Sequence, residues 1–204
     1  ARYWLHNEFI QVEGEKMSKS KGNFYTVREL LDDGFSGDAI RLYLVSSHYR
    51  TETDFSIEGL KKAEKEVRKA SKVVQRIRKD PGDEMLDIIA LEDSFEDQMD
   101  DDLNTAKAKQ KLMEFVSRAS SELESGAKLD EEVAEKIEEF FGILGVTLNP
   151  EVSESEAEMA ELLLELREDA RDKAEYETAD MIRERLQELG FNVDDTGEGS
   201  LWTR

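Results

Sequence analysis

Lys16, Lys19 and Lys21, with Ser18 and Ser20 between them, bring three ammonium groups and two hydroxyls into one short string. Gly14 and Gly22 flank it, and Gly14 to Asn23 has the composition of a loop. Point charges on flexible stems suit a ligand whose negative charge shifts during reaction, such as a triphosphate releasing pyrophosphate. Hydroxyls and backbone N–H groups add hydrogen bonds to the same oxygens. The competing reading of any lysine- and serine-rich loop is plain solvated surface.

Two further sets could meet a polyanion. Lys61, Lys65, Arg68, Lys72, Arg76 and Lys79 recur at steps of three and four, a stripe along one side of a helix. Such a stripe is a candidate for phosphate contacts rather than base reading. Glu58, Glu64 and Glu66 dilute it, and a solvated helix face is the alternative. Near the end of the chain Arg171, Tyr176, Asp180, Arg183, Asp195 and Trp202 mix guanidinium, aromatic and carboxylate groups. Unpaired bases are read by stacking and by hydrogen bonds to their edges, and this set offers both. Against it, Trp202 can serve as core packing and Asp180 as a surface carboxylate.

The elements that must position these groups follow from the pattern of apolar residues. Ile10 to Glu13 reads as a strand before the lysine–serine loop. Thr26 with Glu29 three residues on forms a capping box that opens a helix through Leu31. Gly34, Ser36 and Gly37 interrupt it, and Asp38 is expected to cap the next helix, whose apolar residues are Ile40, Leu42, Tyr43 and Val45. A long helix carries the seam Leu60, Ala63, Val67, Ala70, Val74 and Ile77 and stops at Pro81-Gly82. Leu91, Phe95 and Met99 mark a second helix. Ala108, Leu112, Phe115 and Ala119 mark a third, capped by Asn104 or Thr105. Val133, Ile137, Phe140, Phe141 and Leu144 mark a fourth, closed by Gly145. Short connections make these an antiparallel bundle. After Asn149-Pro150, Met159, Leu162, Leu163, Leu166 and Ala170 define one amphipathic helix, and Ala179, Ile182, Leu186 and Leu189 a second that ends at Gly190. Two strands around Thr196, Gly197 and Gly199 complete a small α+β module. The expected fold is mainly α, with residues 1–50 as the end of a larger domain, 51–148 as the bundle and 149–204 as the module.

The chain has 204 residues, no cysteine and two histidines. No disulfide or four-cysteine zinc site can form, and no apolar run is long enough to span a bilayer. A cytoplasmic, soluble protein is the expectation. Net charge is -21, unusual for a nucleic-acid binder, yet its distribution is uneven. It is 0 over Ala1 to Arg50, +3 over Thr51 to Asp80 and -24 over Pro81 to Arg204. Periodic apolar residues run through the acidic part, so an acid-rich folded surface of halophilic type explains it better than disorder.

The string Lys16-Met17-Ser18-Lys19-Ser20 matches the second signature of class I aminoacyl-tRNA synthetases. Tyr3-Trp4-Leu5-His6, Gly22-Asn23-Phe24 and Thr26-Val27-Arg28 resemble the cysteinyl-tRNA synthetases among them. So do Ser47-His48-Tyr49-Arg50 with Phe55-Ser56, Met99-Asp100-Asp101-Asp102-Leu103-Asn104-Thr105, and the stretches from Ala179-Asp180 to Gly190 and from Asp194-Asp195 to Trp202. The likeness covers the whole chain. It departs at Leu103 and Ala106, where Phe and Pro are usual, at Gly34 to Gly37, and at Tyr176, where some members carry an indole.

The resemblance implies the C-terminal part of an enzyme that activates cysteine with ATP and Mg2+ and transfers it to tRNA(Cys). Lys16 and Lys19 would act on the triphosphate, and Lys16, Met17, Ser18, Lys19 and Ser20 would bind ATP, Lys19 foremost. Lys61, Lys65, Arg68 and Lys72 would meet tRNA phosphates. Arg171, Tyr176, Asp180, Arg183, Asp195 and Trp202 would meet the anticodon, with an aspartate accepting from N1 and N2 of guanine. The first class I signature, His-x-Gly-His, is absent, and the family's zinc ligands are expected upstream of Ala1. His6 and His48 are therefore expected to be structural, and the chain alone inactive in aminoacylation. The alternatives are a ligase that joins cysteine to an amino sugar, which needs no anticodon module, and a non-catalytic tRNA-binding protein of synthetase descent.

Overall fold

A computed structural model describes residues 2, 4–12, 14–18, 23–148, 154–189, 191–196 and 199–203. The chain divides into two compact units, Ala1–Leu148 and Asn149–Arg204.

The first unit opens with β1 (Ile10–Val12) and β2 (Glu15–Lys16), an antiparallel hairpin turned at Gly14, whose φ of 72° favours a residue without Cβ. Helices α1 (Val27–Asp32) and α2 (Gly37–Leu44) follow, then β3 (Thr53–Phe55), which pairs in parallel with β1. Lys16 thus ends a short strand, where composition read only loop. Neither β2 nor β3 shows the alternation that marks a strand in sequence. The Thr26–Glu29 capping box forms as expected: the Thr26 hydroxyl accepts from the Glu29 N–H while the Glu29 carboxylate accepts from the Thr26 N–H. Asp38 does not cap α2. Ser36 does, accepting from the Ala39 N–H at 3.1 Å, because Gly34, with φ at 91°, turns the chain so that Ser36 is the last extended residue. Asp38 sits inside the first turn and accepts instead from the Thr147 N–H at 2.9 Å. Val12, Leu30, Ala39, Ile40, Phe55 and Leu60 make a small core, on which Met17 packs.

Helix α3 (Ile57–Lys79) leaves this core and enters a second one with α4 (Ile88–Asp100), α5 (Thr105–Glu124) and α6 (Glu131–Ile143). Val67, Ala70, Val74 and Ile77 of α3 face Leu91 and Phe95, Ala108, Leu112, Phe115 and Ala119, and Val133, Ile137, Phe140 and Phe141. Each fully buried Leu, Ile or Phe contributes about 1.5–3 kcal/mol relative to exposure. Phe95 and Phe140 meet with ring centroids 4.5 Å apart. Leu60, the first residue of the expected seam, belongs to the small core instead, so α3 is shared between the two. Between helices, the Gly82 N–H donates to the Leu129 carbonyl and the Glu84 N–H to that of Lys128. A side chain at Gly82 would collide with the Lys128 backbone. The end of α6 is fastened to α2: Arg41 Nε donates to the Leu144 carbonyl at 2.9 Å, beside Gly145 with φ at 76°.

The second unit contains α7 (Glu154–Asp172), α8 (Tyr176–Glu188), β4 (Asn192–Thr196) and β5 (Gly199–Thr203), the strands paired antiparallel. Ala160, Leu164, Leu186, Phe191 and Val193 form its core, with Leu163, Ile182 and Trp202 against it. The face of α7 expected to be buried is therefore rotated. Met159, Leu162 and Leu166 are exposed, and Arg167 is buried. Leu189 is exposed too, and Gly190 lies outside the described residues.

Candidate functional site

The lysine–serine string begins on a rigid hairpin. Lys16 pairs with Gln11 across the β1–β2 ladder, and its Nζ stands 4.4 Å from the centre of the Phe9 ring. Met17 points into the small core and anchors the string. The Asn23 side chain ties both sides together: its Oδ1 accepts from the Ser18 N–H at 2.9 Å, and its Nδ2 donates to the Lys16 carbonyl at 3.4 Å. Lys16, Met17 and Ser18 are thus held on one side, with Asn23 on the other. Lys19 and Ser20 lie outside the described residues. Asn23 was legible in sequence only as part of a resembling string. Its bridging role depends on a contact five residues apart that no periodicity reveals.

On α3, Lys61 and Lys65 are exposed and Arg68 and Lys72 half-buried, all on one side of the helix. The carboxylates that dilute this stripe in sequence are largely engaged elsewhere. Glu66 pairs with Lys109 at 2.7 Å, and Glu64 accepts from the Ser36 N–H. Arg76, read as part of the stripe, turns inward and donates to the Leu123 carbonyl at 3.0 Å, a link to α5. Lys61, Lys62 and Lys65 line a surface depression with Ser56, Glu58 and Gly59.

In the second unit Arg167 donates from Nη1 to Asp195 Oδ1 at 2.7 Å and from Nη2 to Oδ2 at 3.1 Å. Arg171 donates to the same Oδ1 at 2.8 Å, and the Ser200 hydroxyl does so at 3.1 Å. The Arg167 hydrogen bonds, aided by Ser200 and the charge of Arg171, hold the Asp195 carboxyl well below the usual carboxylate range despite some desolvation. Arg171 and Asp195 are therefore brought together. Arg167 was missed in sequence because a charged residue does not register as a core position. Tyr176, Asp180 and Arg183, spaced four and three apart, share one exposed face of α8. Among the described residues Asp180 and Arg183 form no ion pair. Trp202 is half-buried, edge-on to Phe191 with centroids 5.3 Å apart, so it serves the core.

Three family models match in chain order. Residues 1–65 match the class I (C) tRNA synthetase catalytic domain, residues 94–149 the DALR domain, and residues 155–202 the cysteinyl-tRNA ligase anticodon binding domain. A cysteine–tRNA ligase of Heliobacterium modesticaldum is 37% identical over 230 residues, covering 100% of this chain and 48% of the relative. One from Carboxydothermus hydrogenoformans is 37% identical over 100% of the chain and 46% of the relative. One from Thermococcus gammatolerans is 34% identical over 99% and 46%.

The chain belongs to the cysteinyl-tRNA synthetase family.

It spans about half the length of the curated relatives it matches. Two of the strings that resemble cysteinyl-tRNA synthetases meet in space. Tyr49 and Arg50 both bond the Asp102 carboxylate, and His48 Nε2 lies 3.9 Å from it. His48 accordingly stands in a polar junction, with its Nδ1 accepting from the Arg50 N–H. The described residues hold no cluster of three or more His, Cys, Asp or Glu side chains fit for a metal ion, so zinc has no ligand set among them.

Proposed function

We propose that this chain is part of a cysteine–tRNA ligase, which joins the cysteine carboxylate to the adenylyl group of ATP with release of pyrophosphate and then transfers cysteine to tRNA(Cys) with release of AMP. The observation that carries the reading is the order of the three family matches, with the lysine–serine string inside the first and an anticodon binding domain at the end. In this reading residues 1–50 close the catalytic domain, residues 51–148 form a tRNA-contacting bundle, and residues 149–204 form the anticodon module.

The chemistry assigned to each set follows from its groups. Lys16 and Lys19 place positive charge where pyrophosphate departs with its Mg2+, and Ser18 and Ser20 add hydrogen bonds. The Phe9 ring and the Asn23 bridge orient the start of the string. Lys61, Lys65, Arg68 and Lys72 supply local positive potential on a strongly acidic protein, which an RNA backbone requires whatever the net charge. On α8, Tyr176 offers a stacking face, while Asp180 and Arg183 offer an acceptor and donors for base edges. The anticodon module gives no support to an amino-sugar acceptor.

No helix among the described residues is long and apolar enough to cross a membrane, in keeping with a cytoplasmic enzyme. The charge of -21 is in keeping with a halophilic source.

The test is acceptor choice by the full-length protein. With ATP, Mg2+ and labelled cysteine, label should pass to tRNA(Cys) and not to other tRNAs. Transfer to an amino sugar with none to tRNA would overturn the reading.

A further inference from the structure

The most unusual group in the second unit is the buried guanidinium of Arg167. Only 3% of the residue is exposed. A cation there is costly unless it is paired and hydrogen-bonded. Its two Nη atoms take both oxygens of Asp195, and Nη1 also meets the Ser200 Oγ at 2.6 Å. Its Nε is buried with no hydrogen-bond partner among the described residues, so the side chain is not placed to satisfy itself. An apolar residue at this position of α7 would pack against the core without that loss. What the arginine provides is a carboxylate fixed in direction and held ionised at the rim of the hairpin.

The bonds on that carboxylate are unevenly shared. Among the described residues Oδ1 receives Arg167, Arg171 and Ser200, whereas Oδ2 receives Arg167 alone. A carboxylate oxygen has two lone pairs, so Oδ2 retains an acceptor position. The Asp195 side chain is 40% exposed. Ser200 is fixed in turn, its N–H donating to Glu168 Oε1 at 2.6 Å. Arg171 differs from Arg167: it is itself half-exposed and bound through one nitrogen only.

We propose that Arg167 is a positioning residue for base recognition, which aims Asp195 Oδ2 at an N–H donor on the edge of an unpaired base. Arg171 is the exchangeable partner, free to turn from Asp195 to an RNA phosphate when the base arrives. The ligand class is single-stranded RNA presenting a donor edge, guanine N1–H and N2–H being the edge with adjacent donors. This rests on the reading of residues 149–204 as an anticodon module.

The experiment uses the full-length enzyme with Asp195→Asn, Arg167→Lys and Arg171→Ala. It measures kcat/KM for tRNA(Cys) and for the same tRNA with its first anticodon base changed, together with cysteine-dependent ATP–pyrophosphate exchange. Arg167→Lys keeps the charge but loses the two-pronged geometry. It should reduce the ratio between the two tRNAs about tenfold or more, as Asp195→Asn does, the loss of about one well-made base contact. Pyrophosphate exchange should stay within twofold. Arg171→Ala should weaken both tRNAs alike and leave the ratio standing. If Asp195→Asn keeps the ratio that wild type shows, the aspartate reads no base and the proposal falls while the anticodon module stands. If wild type itself shows no difference between the two tRNAs, the reading of residues 149–204 as an anticodon module falls. If Asp195→Asn loses the ratio while Arg167→Lys keeps it, the aspartate reads the base and Arg167 does not position it.

Discussion

The Tyr49 hydroxyl donates to Asp102 Oδ1 at 2.7 Å, joining residues 53 apart in sequence. Arg50 adds Nη2 to the same oxygen at 3.2 Å, while its Nε donates to the Tyr49 hydroxyl at 2.8 Å and lies 3.0 Å from Oδ2 as an ion pair. Asp102 and Leu103 both have positive φ, 56° and 54°, a conformation that costs a non-glycine residue of order 1–2 kcal/mol. The junction from Tyr49 and Arg50 therefore fixes a strained turn between α4 and α5. Tyr49→Phe should lower the stability of the first unit by about 1 kcal/mol. Asp102→Ala should cost more, since it loses every partner and keeps the strain, and Asp102→Gly less than Asp102→Ala. Urea denaturation gives the order, and an equal loss for Ala and Gly at Asp102 would show that the strain is not stored there.

The state of Asp195 can be followed by pH. Its folded carboxyl lies well below the usual range, so its stabilising effect is complete above the unfolded value of about 3.9 and is lost as pH falls further. Asp195→Asn cannot titrate. The stability gap between wild type and Asp195→Asn should be constant above about pH 5 and close as pH falls below about 4. Trp202 fluorescence in a Trp4→Phe background reports this unit. A gap that persists unchanged into acid would contradict the Arg167–Asp195 pairing.

Much of the bundle is legible in sequence because α3, α5 and α6 bury unbroken apolar seams, from Val67 to Ile77, Ala108 to Ala119 and Val133 to Phe141. The capping box at Thr26 is legible because both partners are local. Three features were not. The strands β2 and β3 have two and three residues and owe their existence to a neighbour, β1. Asp38 and Ser36 are both good caps, and only the backbone turn at Gly34 chooses between them. On α7 the apolar residues Met159, Leu162 and Leu166 are exposed, and the buried row Ala160, Leu164 and Ala170 runs through Arg167, whose partner Asp195 is 28 residues away. For the proposed site, Lys16 to Ser20 were found as a string, whereas the bridging role of Asn23 and the place of Arg167 emerge only from contacts.

The stripe on α3 predicts a particular salt dependence. Replacing Lys61, Lys65, Arg68 and Lys72 by Gln, one at a time, should weaken tRNA binding for every tRNA sequence alike. Each should reduce the slope of log K against log salt by about 1. Arg76→Gln should act on stability instead, because its guanidinium holds the Leu123 carbonyl. A change in tRNA discrimination from a stripe variant would contradict phosphate contact.

Net charge of -24 over Pro81 to Arg204 implies self-repulsion that salt relieves. Melting temperature should rise steeply from low to molar KCl. A flat or falling curve would remove the halophilic reading.

If the lysine–serine string serves ATP in cysteine activation, Lys19 is its main contact with the triphosphate. The direct measurement is cysteine-dependent ATP–pyrophosphate exchange by the full-length enzyme with Lys19→Ala. Loss of one preorganised contact to the departing pyrophosphate predicts a fall of about a hundredfold or more, with cysteine binding nearly unchanged. Exchange at the wild-type rate in Lys19→Ala would show that the string does not serve ATP in this step.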